Sequence, residues 1–225
     1  MALNYRHVST KIVCVGETGS RKSQRAMRFV LESNYRYYFI FDHDGQFADR
    51  HRLTPAYTLK EVCAQLDQQR FVIFNPTEMF DEMGGDFKPE KDPRSGGFDW
   101  FCRFAYDFSE RVPKKLDGPK LLYCDEIADI VSTSKMPKYA RKVFTSGRNR
   151  SLDAIVMTVQ YNLIHNTIRA GASNTFAFRT TEENAVAALV ARGFNEAQVR
   201  ALPDGHFIMR DVRGKMERGV QPQQF

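Results

Sequence analysis

Short apolar runs and amphipathic stretches take turns along the chain. Lys11–Val15 (KIVCV) is apolar, ends at a glycine and reads as a buried strand; Ser23–Ser33 follows with Ala26, Met27, Val30 and Leu31 at helical spacing. Arg36–Phe41 (RYYFIF) predicts a second strand, Leu59–Leu66 a helix, and Phe71–Phe74 (FVIF) a third strand stopped by Asn75-Pro76. Residues 76–97 interrupt the rhythm with Gly84-Gly85, Pro89, Pro93 and Gly96-Gly97, which predicts a long inserted loop of the kind that serves as a lid or binding loop. Helical spacing resumes over Phe98–Val112, and Leu121–Cys124 (LLYC) is a fourth strand. Then come a helix over Pro137–Phe144, a fifth strand at Ala154–Thr158 (AIVMT), a short helix near Leu163–Arg169 and a sixth strand at Thr175–Phe178. A helix over Glu182–Arg192, capped by Thr181 and stopped at Gly193, precedes a last strand candidate at Phe207–Met209. Alternation without an internal repeat predicts one α/β domain over residues 1–225, with a parallel-rich central sheet and helices on both faces.

Composition changes this picture little. The balance of 33 basic against 27 acidic residues leaves +6, which suits an anionic partner such as nucleic acid without requiring one. Cys14, Cys63, Cys102 and Cys124 form no CxxC pair, and Cys14 and Cys124 sit in strand-like runs, so buried free thiols in a reducing compartment are expected. The start, MALNYRHVSTK, lacks the apolar core of a signal peptide, and no stretch approaches the roughly 18 apolar residues of a membrane span. The expectation is a soluble, cytoplasmic protein. The five histidines show no ligand spacing and Asp81–Glu90 lacks the register of a calcium loop, so no structural metal is expected.

The chemistry concentrates after the first strand. Gly16-Glu17-Thr18-Gly19-Ser20-Arg21-Lys22-Ser23 lies between strand and helix, the context in which successive backbone N–H groups and a helix start cradle phosphates. In the pattern GxxxxGK[ST], Lys22 would reach the β- and γ-phosphates and the Ser23 hydroxyl would ligate Mg²⁺; Arg21 stands where the pattern has glycine. An arginine there either points outward or adds a phosphate contact. Leu121–Glu126 (LLYCDE) is the partner, a buried strand that delivers two carboxylates to its C-terminal end, where open parallel sheets bind ligands. Asp125 can hold Mg²⁺ through a water, and Glu126 can orient and polarise an attacking water. Hydrolysis of a γ-phosphate also needs a sensor and an added cation. Gln160, just after the fifth strand, suits the first role; Arg148 and Arg150 are candidate fingers toward a neighbouring subunit.

Together these segments resemble the FtsK–HerA superfamily of DNA-pumping P-loop ATPases. Phe41–Phe47 (FDHDGQF) is similar to the segment after that family's second strand. Gly147–Arg150, Ile155–Thr158 with Gln160, Asn174–Arg179 (NTFAFR) and Leu202–Gly205 (LPDG) resemble its later elements, so the likeness runs in order along nearly the whole chain. A bare core of this size is similar to the genome-packaging ATPases of tailless icosahedral, tectivirus-like viruses. The resemblance implies a RecA-like sheet, ATP and Mg²⁺ as cofactors, a homo-oligomeric ring with a hexamer as the expected form, and ATP-driven movement of double-stranded DNA into a preformed capsid. It also implies capsid or vertex proteins as partners, and residence in the host cytoplasm with virion association as a further option. Other readings are a nucleotide-binding assembly adaptor whose P-loop has decayed at Arg21, a filamentous-phage-type assembly ATPase, and a P-loop kinase. Candidate phosphate contacts for DNA are Lys88, Lys91 and Arg94 in the long loop, and Lys135, Lys138, Arg141 and Lys142 ahead of the finger candidates.

Overall fold

The structure, a computed structural model, describes residues 10–78 and 93–220. The strands β1 (Lys11–Val15), β2 (Tyr37–Phe41), β3 (Phe71–Phe74), β4 (Lys120–Cys124), β5 (Leu152–Thr158), β6 (Asn174–Phe178), β7 (His206–Asp211) and β8 (Met216–Val220) form one mostly parallel sheet in the order β3-β2-β4-β5-β1-β6-β7-β8. The helices are α1 (Lys22–Glu32), α2 (Gln46–His51), α3 (Leu59–Gln69), α4 (Pro93–Arg111), α5 (Lys138–Ser146), α6 (Asn166–Gly171), α7 (Glu183–Val190) and α8 (Glu196–Arg200). Two strands, β1 and β3, have the bounds read from the sequence. β2 and β3 run parallel, as do β1 and β6, whereas β7 and β8 add an antiparallel edge.

Several elements differ from expectation for identifiable reasons. The helix expected from Phe98 begins at Pro93, because proline is pre-organised for a first helical position and Gly97 packs where a Cβ would come within 2.5 Å of Pro76. Residues 79–92 lie outside the described residues. Helix α7 is capped by the Glu182 carboxylate, which accepts from the Asn184 and Ala185 N–H groups, and not by Thr181. Strand β8 (MERGV) escapes a hydrophobicity search because its side chains are mostly exposed. Helices α2 and α8 are shorter than the window over which a helical period can be read.

The described chain divides into two compact units. The first comprises Thr10, Tyr35–Tyr123 and Pro137–Ala154. Its core is aromatic: Phe39, Phe41, Phe74, Phe98 and Phe101 are fully enclosed. Phe41 meets Phe98 edge-on at 5.0 Å between centroids, and Phe74 stacks on Phe101 at 5.1 Å. Helix α4 supplies much of this face, with Phe108 against Tyr37 at 4.7 Å and against Phe39 at 5.4 Å. At the end of β2 the buried Asp42 carboxylate accepts from the N–H groups of Phe47 and Ala48, at 2.9 and 2.8 Å, and so fixes the start of α2. That aims Phe47 at Tyr123, 5.3 Å away. The segment FDHDGQF is therefore a folding device, in which an acid caps a short helix and the aromatic seals it.

The second unit holds Lys11–Asn34, Cys124–Met136 and Ile155–Val220 among the described residues. Its interior is largely aliphatic, with Val13, Val15, Ile155, Val156, Ile168, Leu189 and Val199 buried, and includes Phe178 and Phe207 at 5.7 Å between centroids; the enclosed Tyr161 hydroxyl accepts from Arg192 Nε at 3.2 Å. Cys14, Cys102 and Cys124 are buried free thiols, and burial pushes the Cys14 thiol up to about 12. Among the described residues no helix is long and apolar enough to cross a membrane.

Replacing Asp42 with alanine strands two buried N–H donors. We expect a loss of about 2–3 kcal/mol in urea unfolding, with Asp42→Asn recovering part of it.

Candidate functional site

A loop that binds an anion must keep its N–H groups free and yet hold its shape. Here the loop after β1 is held from outside. The Gly16 N–H donates to the Thr158 carbonyl at 3.2 Å and the Glu17 N–H to the Arg179 carbonyl at 3.0 Å. The Ser20 carbonyl accepts from the Gly205 N–H at 3.3 Å. Gly16 has no room for a side chain: a Cβ would stand 2.6 Å from Phe178 Cβ and 2.7 Å from Ser20 Oγ. Glu17 turns away from the loop, accepting from Arg179 Nε at 2.6 Å and from the Thr181 hydroxyl at 3.3 Å, while Arg179 also pairs with Asp204 at 2.9 Å. Glu17, then, is engaged through both backbone and side chain and serves to hold the loop. Thr18 and Gly19 are exposed at the loop's crest.

Arg21 adopts φ 66° and ψ 22°, the left-handed region that glycine enters freely. The departure from the pattern is thus one of residue and not of backbone: the arginine takes the conformation the loop requires, at a cost of about 1 kcal/mol. Helix α1 then opens with no side-chain cap and no acid in its first turn, so its first N–H groups point out of the helix unclaimed by a side chain. Lys22 is buried and has no ion pair among the described residues. Ser20 Oγ is buried without a partner. An uncapped helix start, an unpaired cation and an orphaned hydroxyl on one loop fit an anionic ligand such as a nucleotide's phosphates.

The carboxylates come from the end of β4. Asp125 Oδ2 accepts from Ser23 Oγ at 3.3 Å, and Asp125 Oδ1 accepts from the Glu126 N–H at 3.0 Å. A serine hydroxyl and a carboxylate at this separation are a hard-oxygen donor set of the kind Mg²⁺ takes alongside its waters. Glu126 sits at φ 42°, again left-handed. Its carboxylate accepts from the Thr158 hydroxyl at 3.0 Å and from the Val159 N–H at 2.9 and 3.2 Å. Burial pushes its pKa above the ordinary carboxylate range, against the pull of the Val159 N–H, the Thr158 hydroxyl and Lys22. Gln160 follows at once, its N–H donating to Thr158 Oγ1 at 3.0 Å and its side chain exposed.

Gly16–Ser23, Asp125, Glu126 and Gln160 thus fall in one unit. Arg148 and Arg150 belong to the other, on the 3₁₀ turn Gly147–Arg150. Arg150 donates to Glu110 and lies 5.2 Å over the Tyr106 ring; Arg148 is exposed and has no partner among the described residues. Sequence reasoning missed Thr158 and the Arg179–Glu17–Asp204 chain. The available signal for Thr158 was a hydroxyl residue closing an otherwise apolar strand, two positions before Gln160.

No protein-family profile matches this sequence, and no curated protein matches it. The fold does have solved relatives. One is the genome-packaging NTPase B204 of Sulfolobus turreted icosahedral virus 2 in complex with AMPPCP, 17% identical over 95% of this chain and 98% of that one, with a TM-score of 0.69. B204 in complex with ATP-gammaS superposes with the same TM-score of 0.69 at 18% identity, over 95% and 97% of the two chains. The two chains share one fold over nearly their whole length. A more distant likeness is to EccC (ATPases 2 and 3) of Thermomonospora curvata, solved with a signal sequence peptide, at 12% identity and a TM-score of 0.56 over 96% of this chain and 37% of that one. These neighbours bear out the RecA-like α/β fold read from the sequence.

Two substitutions test the strained positions. Arg21→Gly relieves an unfavourable backbone and is expected to leave nucleotide affinity intact while raising stability by up to about 1 kcal/mol in thermal unfolding. For Glu126 the raised pKa means that the folded state resists its ionisation. The resulting cost is absent below the ordinary carboxylate range, sets in as pH rises through the ordinary pKa that the unfolded chain keeps, and is complete above the raised folded pKa. Glu126→Gln is therefore expected to gain thermal stability over the parent as pH rises through that range, and to match it in acid.

Proposed function

We propose that this chain is an ATP-driven translocase of double-stranded DNA that works as a ring of identical subunits and packages a viral genome into a preformed capsid. The observation that carries the reading is the pairing of Ser23 with Asp125 at 3.3 Å beneath an uncapped α1 and beside the buried Lys22, on the backbone that a genome-packaging NTPase shares. The loop from Gly16 to Ser23 would bind the nucleotide's phosphates through its N–H groups and Lys22. Ser23 and Asp125 would hold Mg²⁺, which when bound neutralises charge on the phosphates and orients them.

Catalysis is then positioning and electrostatics. Glu126 would accept a hydrogen bond from the attacking water and align it. To do so it must present a carboxylate oxygen now engaged by Thr158 and Val159. Gln160, whose N–H is bonded to the same threonine, would respond to the γ-phosphate. Of the two arginines, Arg148 is the one free to reach into a neighbouring subunit's site, since Arg150 is tied to Glu110 and Tyr106. The adaptor reading loses its main support, because Arg21 keeps the loop in the geometry that the glycine pattern serves.

Phosphate release from Mg²⁺-ATP by the purified protein, with and without duplex DNA, tests the proposal. DNA-stimulated release is expected, with a drop of at least about a hundredfold in Lys22→Ala and in Glu126→Gln, the latter still binding ATP. Turnover that survives Lys22→Ala would refute the assignment of the site. Arg148→Ala should lose activity and regain it when mixed with Glu126→Gln subunits, whereas Arg150→Ala should lose stability first.

A further inference from the structure

Helix α5 is charged in a way that does not serve its own stability. It opens with Lys138, a cation at the positive end of the helix dipole, and has no acid in its first turn. Lys138 and Lys142 stand one turn apart with Arg141 between them, an arrangement of like charges that costs a few tenths of a kcal/mol per pair. The capping that an acid on α5 would provide comes from α4, where Asp99 Oδ1 accepts from the Tyr139 and Ala140 N–H groups at 2.5 and 3.0 Å.

The cations are nonetheless held in place. Lys142 Nζ lies 4.5 Å from the centroid of the Tyr139 ring and 5.5 Å from that of Tyr106. Lys138 Nζ and Arg103 Cζ, the latter from α4, each lie 5.5 Å from the Tyr139 ring. Two tyrosines thereby fix a cluster of positive groups by cation–π attraction. Arg103 has a weak partner in Asp107 at 3.7 Å, whereas Lys138, Arg141 and Lys142 have no ion pair among the described residues. Lys138 and Arg141 are exposed.

We infer that this face of α4 and α5, with Lys138, Arg141, Lys142 and Arg103 at its centre, is where the chain grips the phosphate backbone of double-stranded DNA. The inference rests on the translocase reading and adds the surface to it. Unpaired cations ordered on a rigid helix match a polyanion and carry no base-reading geometry, so binding should be independent of sequence and steeply salt-dependent. A duplex suits the surface better than a single strand, because Tyr106 is buried and Tyr139 is occupied by three cations, which leaves no open ring on which an unpaired base could stack.

The full chain, its Lys138→Gln/Lys142→Gln variant, the charge-keeping Lys138→Arg/Lys142→Arg variant and a Lys114→Gln/Lys115→Gln control would be titrated with a labelled duplex over a salt series. Thermal melts and ATP turnover without DNA would be followed in parallel. The glutamine pair at 138 and 142 is expected to weaken binding roughly tenfold or more and to flatten the salt slope by about 2, with basal turnover unchanged. The arginine pair should bind like the parent, as should the control. A parent that binds duplex while the 138/142 glutamine variant binds equally well would overturn the inference alone. A parent with no affinity for duplex, or a clear preference for single strands, would overturn it together with the duplex half of the translocase reading. Loss of turnover in Lys22→Ala tests the other half separately.

Discussion

The N–H groups of Thr18, Gly19 and Arg21 have no partner among the described residues, and the loop after β1 has to hold its shape without them. A segment that leaves some of its donors free forgoes part of the hydrogen bonding by which turns normally hold themselves. One internal bond, from the Ser20 N–H to the Glu17 carbonyl, remains, and three separate stretches of chain impose the rest of the shape of Gly16–Ser23: the end of β5 through Thr158, the end of β6 through Arg179, and the turn before β7 through Gly205. This is why the site needs elements far along the sequence that contribute no chemistry of their own. It is also why Glu17, inside the loop, spends its carboxylate on Arg179 and not on a ligand.

The same end of β5 serves the loop and the candidate base together. Thr158 gives its carbonyl to Gly16 and its hydroxyl to Glu126, and its side chain accepts from the N–H of Gln160. One residue thus joins phosphate loop, general-base candidate and sensor candidate. A buried carboxylate that is hydrogen-bonded to a backbone N–H and a hydroxyl is well satisfied; it leaves that arrangement only if something better replaces it. A bound nucleotide with its attacking water would offer such a replacement, so occupancy of the loop and readiness of Glu126 become linked through a single side chain.

Much of this was legible from residue patterns, and the limits are physical. The buried parallel strands β1, β3 and β4 announce themselves as unbroken apolar runs, since both faces of each are covered. The candidate phosphate loop and its acidic partner stand out in the sequence because a glycine-rich strand-to-helix turn and an apolar run ending in Asp-Glu have few other uses in combination. Strand β8 was not, because an edge strand with Glu217 and Arg218 on it has no need to be apolar. At Arg21 the sequence shows a departure from glycine, and only backbone dihedrals reveal that the arginine adopts glycine's conformation. Thr158 stayed hidden for a different reason: its role depends on which strand ends lie side by side, and a sequence scan along one strand carries no such information.

Arg21 and Glu126 take the argument one step further. Both are non-glycine residues in the left-handed region, and both flank the Ser23–Asp125 pair in sequence: Arg21 two residues before Ser23, Glu126 directly after Asp125. Each conformation costs about a kcal/mol that a sequence selected for stability alone would avoid, and each is held by surrounding contacts that over-determine it. Arg25 and Thr158 supply those contacts: the Arg25 N–H closes the first turn of α1 on the Arg21 carbonyl at 3.2 Å, and Thr158 pins the Glu126 carboxylate. Arg52, Arg70 and Ser151 adopt the same region at the ends of α2, α3 and the 3₁₀ turn Gly147–Arg150, where the bend only ends an element. At Arg21 and Glu126 the bend would also serve the proposed site, holding an anion on one side and aiming a carboxylate on the other.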